Sequence, residues 1–317
     1  MNTDQSDLIP NISPIVKLEE PDLADRGIKV YVKRDDLLYG PSQGNKFRKL
    51  THHLAQAITL EKSELISFGG AYSNHLFALA YVGWKNKLPT IGIVRGEIDQ
   101  SNPTIKAMQQ WGMHLMSLTR TEYRKRHDPS FLGRLQHKYP KAYIIPEGGS
   151  GKLGMLGIQD LVREVYEQTA HTFDYWACPI ATGATAAGML SSLKGKTELW
   201  TFCVLKGADA RKILEPYGLY HSQLERLIPY PAHMGGFAKR SSEIEFFIKH
   251  FYAKHNILLD PIYTGKMMFK LYESLNDKVD IYPASILVIH TGGTQGNLGY
   301  NMRFGTDLPV PHLFPSL

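Results

Sequence analysis

An α/β fold with parallel sheets is predicted by one arrangement that occurs three times along the chain. A short apolar run, a glycine-rich turn and a helical pattern follow one another at residues 64–84, 174–194 and 284–300. Strands that alternate with helices are typical of parallel βαβ units. Ligands bind such sheets at the carboxyl ends of the strands, where these three turns lie. The turns are therefore the first places to look for a functional site.

The length of the chain favours two lobes. A chain of 317 residues exceeds the roughly 100–200 residues of one domain, so two lobes, or one large α/β domain with an insertion, are expected. We assign residues 1–50 and 151–317 to a large domain and residues 51–150 to a small one. The glycine-dense run at 145–157 is the expected crossover. An apolar fraction of 43% and a charged fraction of 21% are ordinary for a globular protein.

Further elements are expected between the turns. Residues 29–40 resemble a hairpin arm or an edge strand that leads into a loop. Residues 89–96 form an apolar strand candidate. A helix is expected at 102–111, because Asn102 precedes Pro103 and proline is favoured at the first position of a helix.

The charge of the chain limits its possible partners. The net charge of +6 and the pI of about 9.0 allow nucleic acid as a partner, but the lysines and arginines are scattered. The densest run, Arg120–Arg126, is short and contains Glu122, so a solvated face is expected there. An anionic small ligand also suits a positive field.

The start of the chain and its cysteines predict a cytoplasmic protein. Residues 1–10 are polar and acidic and lack the basic and apolar regions of a signal peptide. No stretch approaches the roughly 18 apolar residues of a membrane helix. Cys178 and Cys203 lie in apolar, strand-like runs, which indicates buried thiols rather than a disulfide or a metal site.

A lysine that begins a helical pattern is the first candidate for chemistry. In the octet Gln43–Leu50, a glycine and an asparagine precede Lys46. The positive end of the helix dipole disfavours the charged form of a lysine there, and a neutral amine can attack an aldehyde. The alternative is that Lys46 is one of the 36 lysines and arginines on a solvated surface.

The turn at residues 69–75 ends in three polar side chains. The apolar strand stops at Phe68 and the helix begins after Ser73 or Asn74, so either residue is a candidate N-cap. Alternatively, N–H groups at the start of the helix can bind a carboxylate, and Asn74 can hydrogen-bond a phenolic oxygen. Ser73 is a candidate proton carrier or nucleophile, whereas His75 is expected to be a surface or capping histidine.

Two turns compete as phosphate-binding sites. At Thr182–Gly188, small residues open a helix after a strand, so that backbone N–H groups can form an anion nest. This turn lacks both the Walker ending and the dinucleotide fingerprint. The turn at Gly292–Gly296 is a rival, and spacing alone does not choose between them. Tyr263 follows a turn at residues 260–262, but by itself it is weak evidence for a functional site.

Taken together, these segments resemble one family of enzymes. The matches run in order through KRDDL at 33–37, GNKFRKL, FGGAYSNH, PEGGS at 146–150, ATGATAAG, DPIYTGK and HTGG at 290–293. Each is weak alone, but the ordered set spans most of the chain and is specific. It resembles the 1-aminocyclopropane-1-carboxylate deaminase and D-cysteine desulfhydrase family, within the tryptophan-synthase-β-like pyridoxal phosphate enzymes.

The resemblance implies pyridoxal 5′-phosphate as the cofactor, with Lys46 holding it covalently and exchanging protons at the substrate Cα. Asn74 is implied to bond the ring hydroxyl and Thr291 to meet the ring nitrogen. The turn at Gly183–Ala187 is implied to hold the phosphate. The full implied cofactor-binding set is Lys46, Asn74, Gly183, Ala184, Thr185, Ala186, Ala187 and Thr291.

The resemblance also implies the catalytic groups and the assembly. Tyr263 is implied to sit over the site as an acid–base or positioning group, and Ser73 and the amides around it to face the substrate carboxylate. The implied catalytic residues are Lys46, Ser73 and Tyr263, and the implied substrate-binding residues are Ser73, Asn74, His75 and Tyr263. Two open α/β lobes of fold type II, with the cofactor between them, and a homodimer acting on a small amino acid are expected, without nucleic acid or membrane as a partner.

Three residues depart from the family's pattern. The cyclopropane-opening members resemble a Tyr-Glu-Gly-Lys sequence where this chain has Thr264 after Tyr263, which weighs against cyclopropane opening. Phe237 stands where the family usually carries a second active-site tyrosine. Ala184 replaces a usual glycine in the phosphate turn, where a methyl group can crowd the phosphate.

Three functions remain in competition on the sequence. The first is a carbon–sulfur lyase that converts D-cysteine or a related β-substituted amino acid to pyruvate, ammonia and sulfide. The second is 1-aminocyclopropane-1-carboxylate deaminase, against which Thr264 weighs. The third is a paralogue that binds the cofactor without this activity, which Phe237 keeps open.

Overall fold

The computed structural model describes residues 12–277, 281 and 283–311, so the polar start at residues 1–10 lies outside the described residues. The strands of the described part are β1 Ile15–Lys17, β2 Ile28–Lys33, β3 Glu64–Gly69, β4 Thr90–Arg95, β5 His114–Leu118, β6 Ala142–Ile144, β7 Tyr175–Ile180, β8 Glu198–Cys203, β9 Leu227–Pro231 and β10 Ala284–Ile289.

These strands form two sheets. The larger has the order β1-β2-β10-β7-β8-β9, and all its neighbouring strands are parallel except β1 and β2. The smaller has the order β5-β4-β3-β6 and is parallel throughout. The predicted parallel α/β fold with two sheets is confirmed.

The helices surround both sheets. They are α1 Pro21–Asp25, α2 Asn45–Thr59, α3 Asn74–Lys85, α4 Pro103–Gln110, α5 Arg120–Tyr123, α6 Pro129–Lys138, α7 Gly151–Gln168, α8 Ala184–Ser192, α9 Ala210–Leu214, α10 His221–Leu224, α11 Ser242–His255, α12 Thr264–Asp277 and α13 Gly296–Phe304. Within the described residues, no helix has both the length and the apolar character needed to cross a membrane.

The local signals read from the sequence explain several of these elements. The Asn102 side chain accepts hydrogen bonds from the N–H groups of Thr104 and Ile105, so the predicted start of α4 at Pro103 is confirmed. Cys178 and Cys203 are buried free thiols on β7 and β8, as predicted.

Of the two alternatives for residues 29–40, the edge strand is wrong, whereas the hairpin arm agrees with the antiparallel pairing of β2 with the preceding strand β1. On its other side β2 pairs in parallel with β10, so it is an inner strand. Lys33 at its end is completely buried. Its charge is tolerated because its amine donates to the Glu164 carboxylate, and burial of a charge requires such a partner.

A buried ion network fastens α2 to the larger sheet. We use this name for Lys33, Asp35, Arg48 and Glu164. The Arg48 guanidinium donates to the Asp35 carboxylate at 2.6 Å and to Glu164 at 2.8 Å. Asp35 follows β2 and Glu164 lies on α7, so three elements meet at one side chain of α2.

The arrangement of the sheets brings the glycine turns together. β7 and β10 are neighbours in the larger sheet, so the turns after Ile180 and Ile289 leave its carboxyl edge side by side. β3, which precedes the turn after Gly69, belongs to the smaller sheet. The cleft in which the turns meet is where the fold class predicts a ligand.

Candidate active site

Lys46 is the second residue of α2 and lines a cleft that encloses about 510 Å³, partly open to solvent. The Lys46 amine donates to the Gly148 carbonyl at 3.4 Å. Burial lowers the pKa of Lys46 to about 8, although the nearby charge of Glu147 opposes this shift. About a tenth of this amine is therefore neutral at pH 7, and the neutral form is the one that a nucleophile requires.

A second lysine, Lys49, lines the same cleft and was not among the predicted site residues. It lies three residues after Lys46, and residues at this spacing share one face of a helix. That spacing was the signal in the sequence. Burial and the charge of Lys46 hold the pKa of Lys49 well below its ordinary value. Among the described residues, no carboxylate forms an ion pair with Lys49, so two buried amines face the cleft with little compensating negative charge.

The turn at Gly183 begins α8 at the floor of the cleft. Gly183 has a φ of +88°, and a Cβ atom there would lie 2.9 Å from side-chain atoms of both Ile213 and Tyr217, so glycine is required. The Asn45 side chain donates to the Thr185 hydroxyl at 2.9 Å, which ties the start of α2 to this turn. Asn45 is a further residue that the sequence analysis missed.

Asn74 and Thr291 both line the cleft. The Asn74 side-chain oxygen accepts a hydrogen bond of 2.8 Å from Gln295, which orients the amide. The backbone carbonyl of Thr291 accepts from the Asn45 N–H at 3.3 Å. A Cβ atom at Gly44 would lie 2.1 Å from that same carbonyl, so only glycine permits α2 to begin so close to it. Lys46, Asn74 and Thr291 thus line one cleft with the Gly183 turn.

Ser73 and His75 do not line the cleft with the other predicted side chains. The Ser73 hydroxyl accepts from the Leu76 N–H at 3.2 Å and so caps α3, which confirms the prediction that Ser73 is an N-cap. The expectation of a surface or capping histidine at position 75 is wrong. The imidazole of His75 is buried and its Nε2 lies 2.8 Å from the Ser67 hydroxyl. It turns inward because β3 offers a polar partner in an otherwise apolar core.

Tyr263 lines the cleft and is held by the start of α12. The Asp260 carboxylate accepts from the N–H groups of Tyr263 and Thr264 at 2.9 and 2.8 Å. The Thr264 hydroxyl also donates to Asp260, at 2.7 Å. Burial and the Asp260 charge raise the pKa of Tyr263 above its ordinary value, so the phenol stays protonated near neutral pH.

Phe237 lies beside Tyr263, outside the lining of the cleft. The two rings meet edge to face with centroids 5.9 Å apart, and Phe237 is 46% exposed. Its loop is held by Lys266, whose amine donates to the carbonyls of His233 and Gly236 at 2.9 Å each. The phenylalanine that stands in place of the family's second active-site tyrosine is therefore adjacent to the cleft.

The turn at Glu147–Gly149 closes one side of the cleft and was missed as a functional element. The Glu147 carboxylate accepts from the Tyr123 hydroxyl at 2.7 Å and from the Arg126 guanidinium at 2.6 Å. The prediction of a solvated face at Arg120–Arg126 is therefore wrong for these two side chains. They are drawn inward because Glu147 lies beside the run in space, although more than twenty residues separate them in sequence.

The residues of the cleft fit pyridoxal phosphate. A phosphate group supplies the negative charge that Lys49 and its neighbour Lys46 lack. The N-terminus of α8 presents N–H groups beside them, which favours an anion. Lys46 supplies a partly neutral amine for an aldehyde. Ala184 is completely buried in the first turn of α8, so its methyl group is packed within the protein.

Comparison with protein families agrees with this chemistry. Residues 8–292 match the family model described as pyridoxal-phosphate dependent enzyme. Among curated proteins, the chain is 30% identical over 310 residues to a putative 1-aminocyclopropane-1-carboxylate deaminase of Pyrococcus abyssi, which covers 92% of each protein. It is 28% identical over 327 residues to the D-cysteine desulfhydrase of Yersinia enterocolitica, which covers 93% of this chain and 95% of the relative.

A solved structure supports the same relationship. The crystal structure of a homologue of 1-aminocyclopropane-1-carboxylate deaminase superposes with a TM-score of 0.80 at 26% identity. The superposition covers 93% of this chain and 94% of the other. The family resemblance and the cofactor inferred from the ordered motifs are thereby confirmed.

Proposed function

The chain belongs to the pyridoxal-phosphate dependent enzyme family, and we propose that within it the protein is a carbon–sulfur lyase. The proposed substrate is D-cysteine or a related β-substituted amino acid, and the products from D-cysteine and water are pyruvate, ammonia and hydrogen sulfide. The observation that carries this proposal is the convergence of Lys46, Lys49 and the Gly183 turn in one cleft with a threonine, not a carboxylate, after Tyr263.

Lys46 is the proposed covalent anchor and the proposed carrier of the Cα proton. Bound pyridoxal phosphate supplies an electron sink that makes a carbanion at the substrate Cα accessible. A lysine with a pKa of about 8 can both accept and return a proton near neutral pH, because neither form is strongly favoured. The Gly148 carbonyl orients this amine from the side of the smaller sheet.

The proposed binding groups for the cofactor come from three elements. Lys49 and the first N–H groups of α8 bind the phosphate, with Thr185 held in place by Asn45. Asn74, oriented by Gln295, bonds the ring hydroxyl. Thr291 meets the ring nitrogen with a hydroxyl, which tempers the electron sink relative to a carboxylate and favours elimination.

The substrate carboxylate is assigned to the N-terminus of α3. The first N–H groups of a helix have no partner within it and attract an anion. Ser73 caps this helix and does not line the cleft, so its proposed role as proton carrier requires its hydroxyl to leave the Leu76 N–H when substrate binds. Tyr263 is protonated near neutral pH and so acts as a hydrogen-bond donor or acid toward the leaving group rather than as a base.

The structure supports elimination over opening of a cyclopropane ring. Thr264 is buried and its hydroxyl is committed to Asp260, so this position contributes no acid–base group to the cleft. Phe237 adds an apolar edge rather than a hydroxyl beside Tyr263. The fold is compatible with both activities for which the relatives are named, and 1-aminocyclopropane-1-carboxylate deaminase is the second candidate function.

A substrate panel tests the proposal. Purified holoenzyme is supplied in parallel with D-cysteine, L-cysteine and 1-aminocyclopropane-1-carboxylate, and keto acid and sulfide are measured. We expect pyruvate to form faster from D-cysteine than from the cyclopropane, with one sulfide for each pyruvate. Faster release of 2-oxobutanoate from the cyclopropane would overturn the choice. No product from any substrate by a protein that binds the cofactor would favour the inactive paralogue.

The assembly, the location and the domain division are further parts of the proposal. We place the enzyme in the cytoplasm as a homodimer, in line with its buried free thiols and with the family resemblance. Sheet membership supports a small domain at residues 51–150, since β3 to β6 form the smaller sheet. Light scattering tests the dimer, and limited proteolysis at the proposed boundaries tests the domains.

A further inference from the structure

The Glu147–Gly149 turn touches both lysines of the cleft. A Cβ atom at Gly148 would lie 3.6 Å from the Lys46 amine, and one at Gly149 would lie 3.2 Å from the Lys49 Cβ. Both glycines have positive φ values, of 71° and 62°. The backbone of this turn is therefore packed against Lys46 and Lys49, and its position decides where the Gly148 carbonyl meets the Lys46 amine.

Glu147 fastens this turn at its other end. One carboxylate oxygen accepts from the Tyr123 hydroxyl and the other from the Arg126 guanidinium. The guanidinium also lies 4.8 Å from the centre of the Tyr123 ring, so the two partners support each other. Hydrogen bonds to a charged group are shorter and stronger than neutral ones, so this clamp is well suited to fixing a turn.

We propose that Glu147 is a positioning residue for the active-site lysine: Tyr123 and Arg126 hold its carboxylate, and the turn thereby holds the Gly148 carbonyl against the Lys46 amine. The negative charge of Glu147 also acts on Lys46 and on Tyr263. This inference rests on the proposed role of Lys46.

Glu147 is the carboxylate that acts on the amine, and the other nearby groups are mostly cationic or neutral. Its charge favours the protonated form of Lys46 and thus opposes the effect of burial on the Lys46 pKa. The titratable groups around the two residues are Lys49 on α2, His75 on α3, Tyr123 on α5, Arg126 and His127 after it, Cys178 on β7, and Asp260 and Tyr263 before and at the start of α12.

Two variants with opposite charge changes test the inference. Glu147→Gln removes the negative charge, and Arg126→Gln removes the positive charge that faces it. In the full-length chain freed of cofactor, the acetylation rate of Lys46 by acetic anhydride is followed by mass spectrometry from about pH 6 to about pH 10. We expect the midpoint to fall by about 0.5–1 pH unit in Glu147→Gln and to fall also in Arg126→Gln, because both variants release the turn and withdraw the Gly148 carbonyl from the protonated Lys46 amine. Glu225→Gln is the matched control, because Glu225 is an exposed carboxylate paired with His221.

The signs of the two shifts decide the outcome. If the two charges act on Lys46 without any role for the turn, the midpoints move in opposite directions; this result, or an unchanged midpoint in Glu147→Gln, overturns the inference. If Glu147→Gln does not fold, the direction of the Arg126→Gln shift alone decides. A second readout in the holoenzyme is the acidic limb of the kcat profile with D-cysteine, which should move with the Lys46 midpoint.

The labelling does not depend on the substrate. Reduction of the holoenzyme with borohydride identifies the residue that holds the cofactor. If that residue is not Lys46, the proposed function fails, whereas the acetylation midpoints still report on Glu147. The two failures are therefore distinguishable.

Discussion

Two neighbouring faces of α2 bury positive charge in opposite ways. Arg48 lies in the buried ion network, where burial disfavours its charge but Asp35 and Glu164 outweigh this and raise the Arg48 pKa above its ordinary value. Lys49, the next residue, lines the cleft without an ion-pair partner among the described residues, and burial lowers its pKa. Two consecutive residues of one helix thus belong to a completed charge cluster and to an incomplete one.

The difference shows which buried charges support the fold and which await a ligand. A buried charge whose partners lie inside the protein couples the elements that supply them, because loss of one partner leaves the others buried without compensation. A buried charge without a partner destabilises the empty protein and becomes favourable only when an anion arrives. The network of Arg48 therefore belongs to the scaffold, and Lys46 and Lys49 belong to the binding site.

The largest effect is expected from Lys46→Ala. Without its amine the protein cannot hold the cofactor covalently or move the Cα proton, so activity should fall by about 10²–10⁴-fold or more. The visible absorption expected near about 410–420 nm should disappear. Lys106→Ala, on the exposed side of α4, is the control and should keep both. Retained colour and borohydride-stable labelling in Lys46→Ala would place the cofactor on another lysine.

Arg48→Met tests how much the buried ion network contributes to stability. It leaves Asp35 and Glu164 buried with one partner fewer, and we expect the free energy of unfolding to fall by about 3–5 kcal/mol in a urea titration. Arg163→Met removes an exposed guanidinium from Asp160 and should cost no more than about 1 kcal/mol. Equal losses in the two variants would show that burial of the network contributes nothing.

Lys49→Met should change the stability of the protein in the opposite direction to Arg48→Met. It removes a buried amine without an ion pair, so the protein freed of cofactor should become more stable. Pyridoxal phosphate should bind about 10–100-fold more weakly, because a charged hydrogen bond to the phosphate is lost. Binding of pyridoxal, which lacks the phosphate, should hardly change when followed by absorbance. If the affinities for pyridoxal phosphate and for pyridoxal fall equally, Lys49 does not bind the phosphate.

A pH series tests the pKa of Lys46, and its expected effect is the smallest of the four. With a pKa of about 8, its amine is protonated at low pH and neutral at high pH. The rate of covalent cofactor attachment should therefore rise about tenfold from pH 7 to pH 9, as the neutral fraction grows. The absorbance change after mixing measures this rate. A midpoint near the ordinary value of 10.5 for lysine would show that burial does not act on this amine.

Local sequence patterns determined the α/β class, the glycine turns, the helix start at Asn102 and the position of Lys46 at the start of α2, because these depend on spacing and local hydrogen bonding. The ordered motifs also identified the family and the cofactor. The pairing of the sheet could not be read in the same way. Residues 29–40 suited a hairpin arm or an edge strand, whereas β2 also pairs with β10, and the Glu164 partner of its buried Lys33 is 131 residues away in the chain.

Only the tertiary structure decided which charged groups face each other. Lys49 differs from Arg48 because α7 supplies a carboxylate to one face of α2 and the cleft supplies none to the other. Tyr123 and Arg126 resembled a solvated run until folding brought Glu147 beside them. The proton affinity of a buried group depends on neighbours that are distant in sequence, so the chemistry of this cleft is a property of the fold rather than of any single motif.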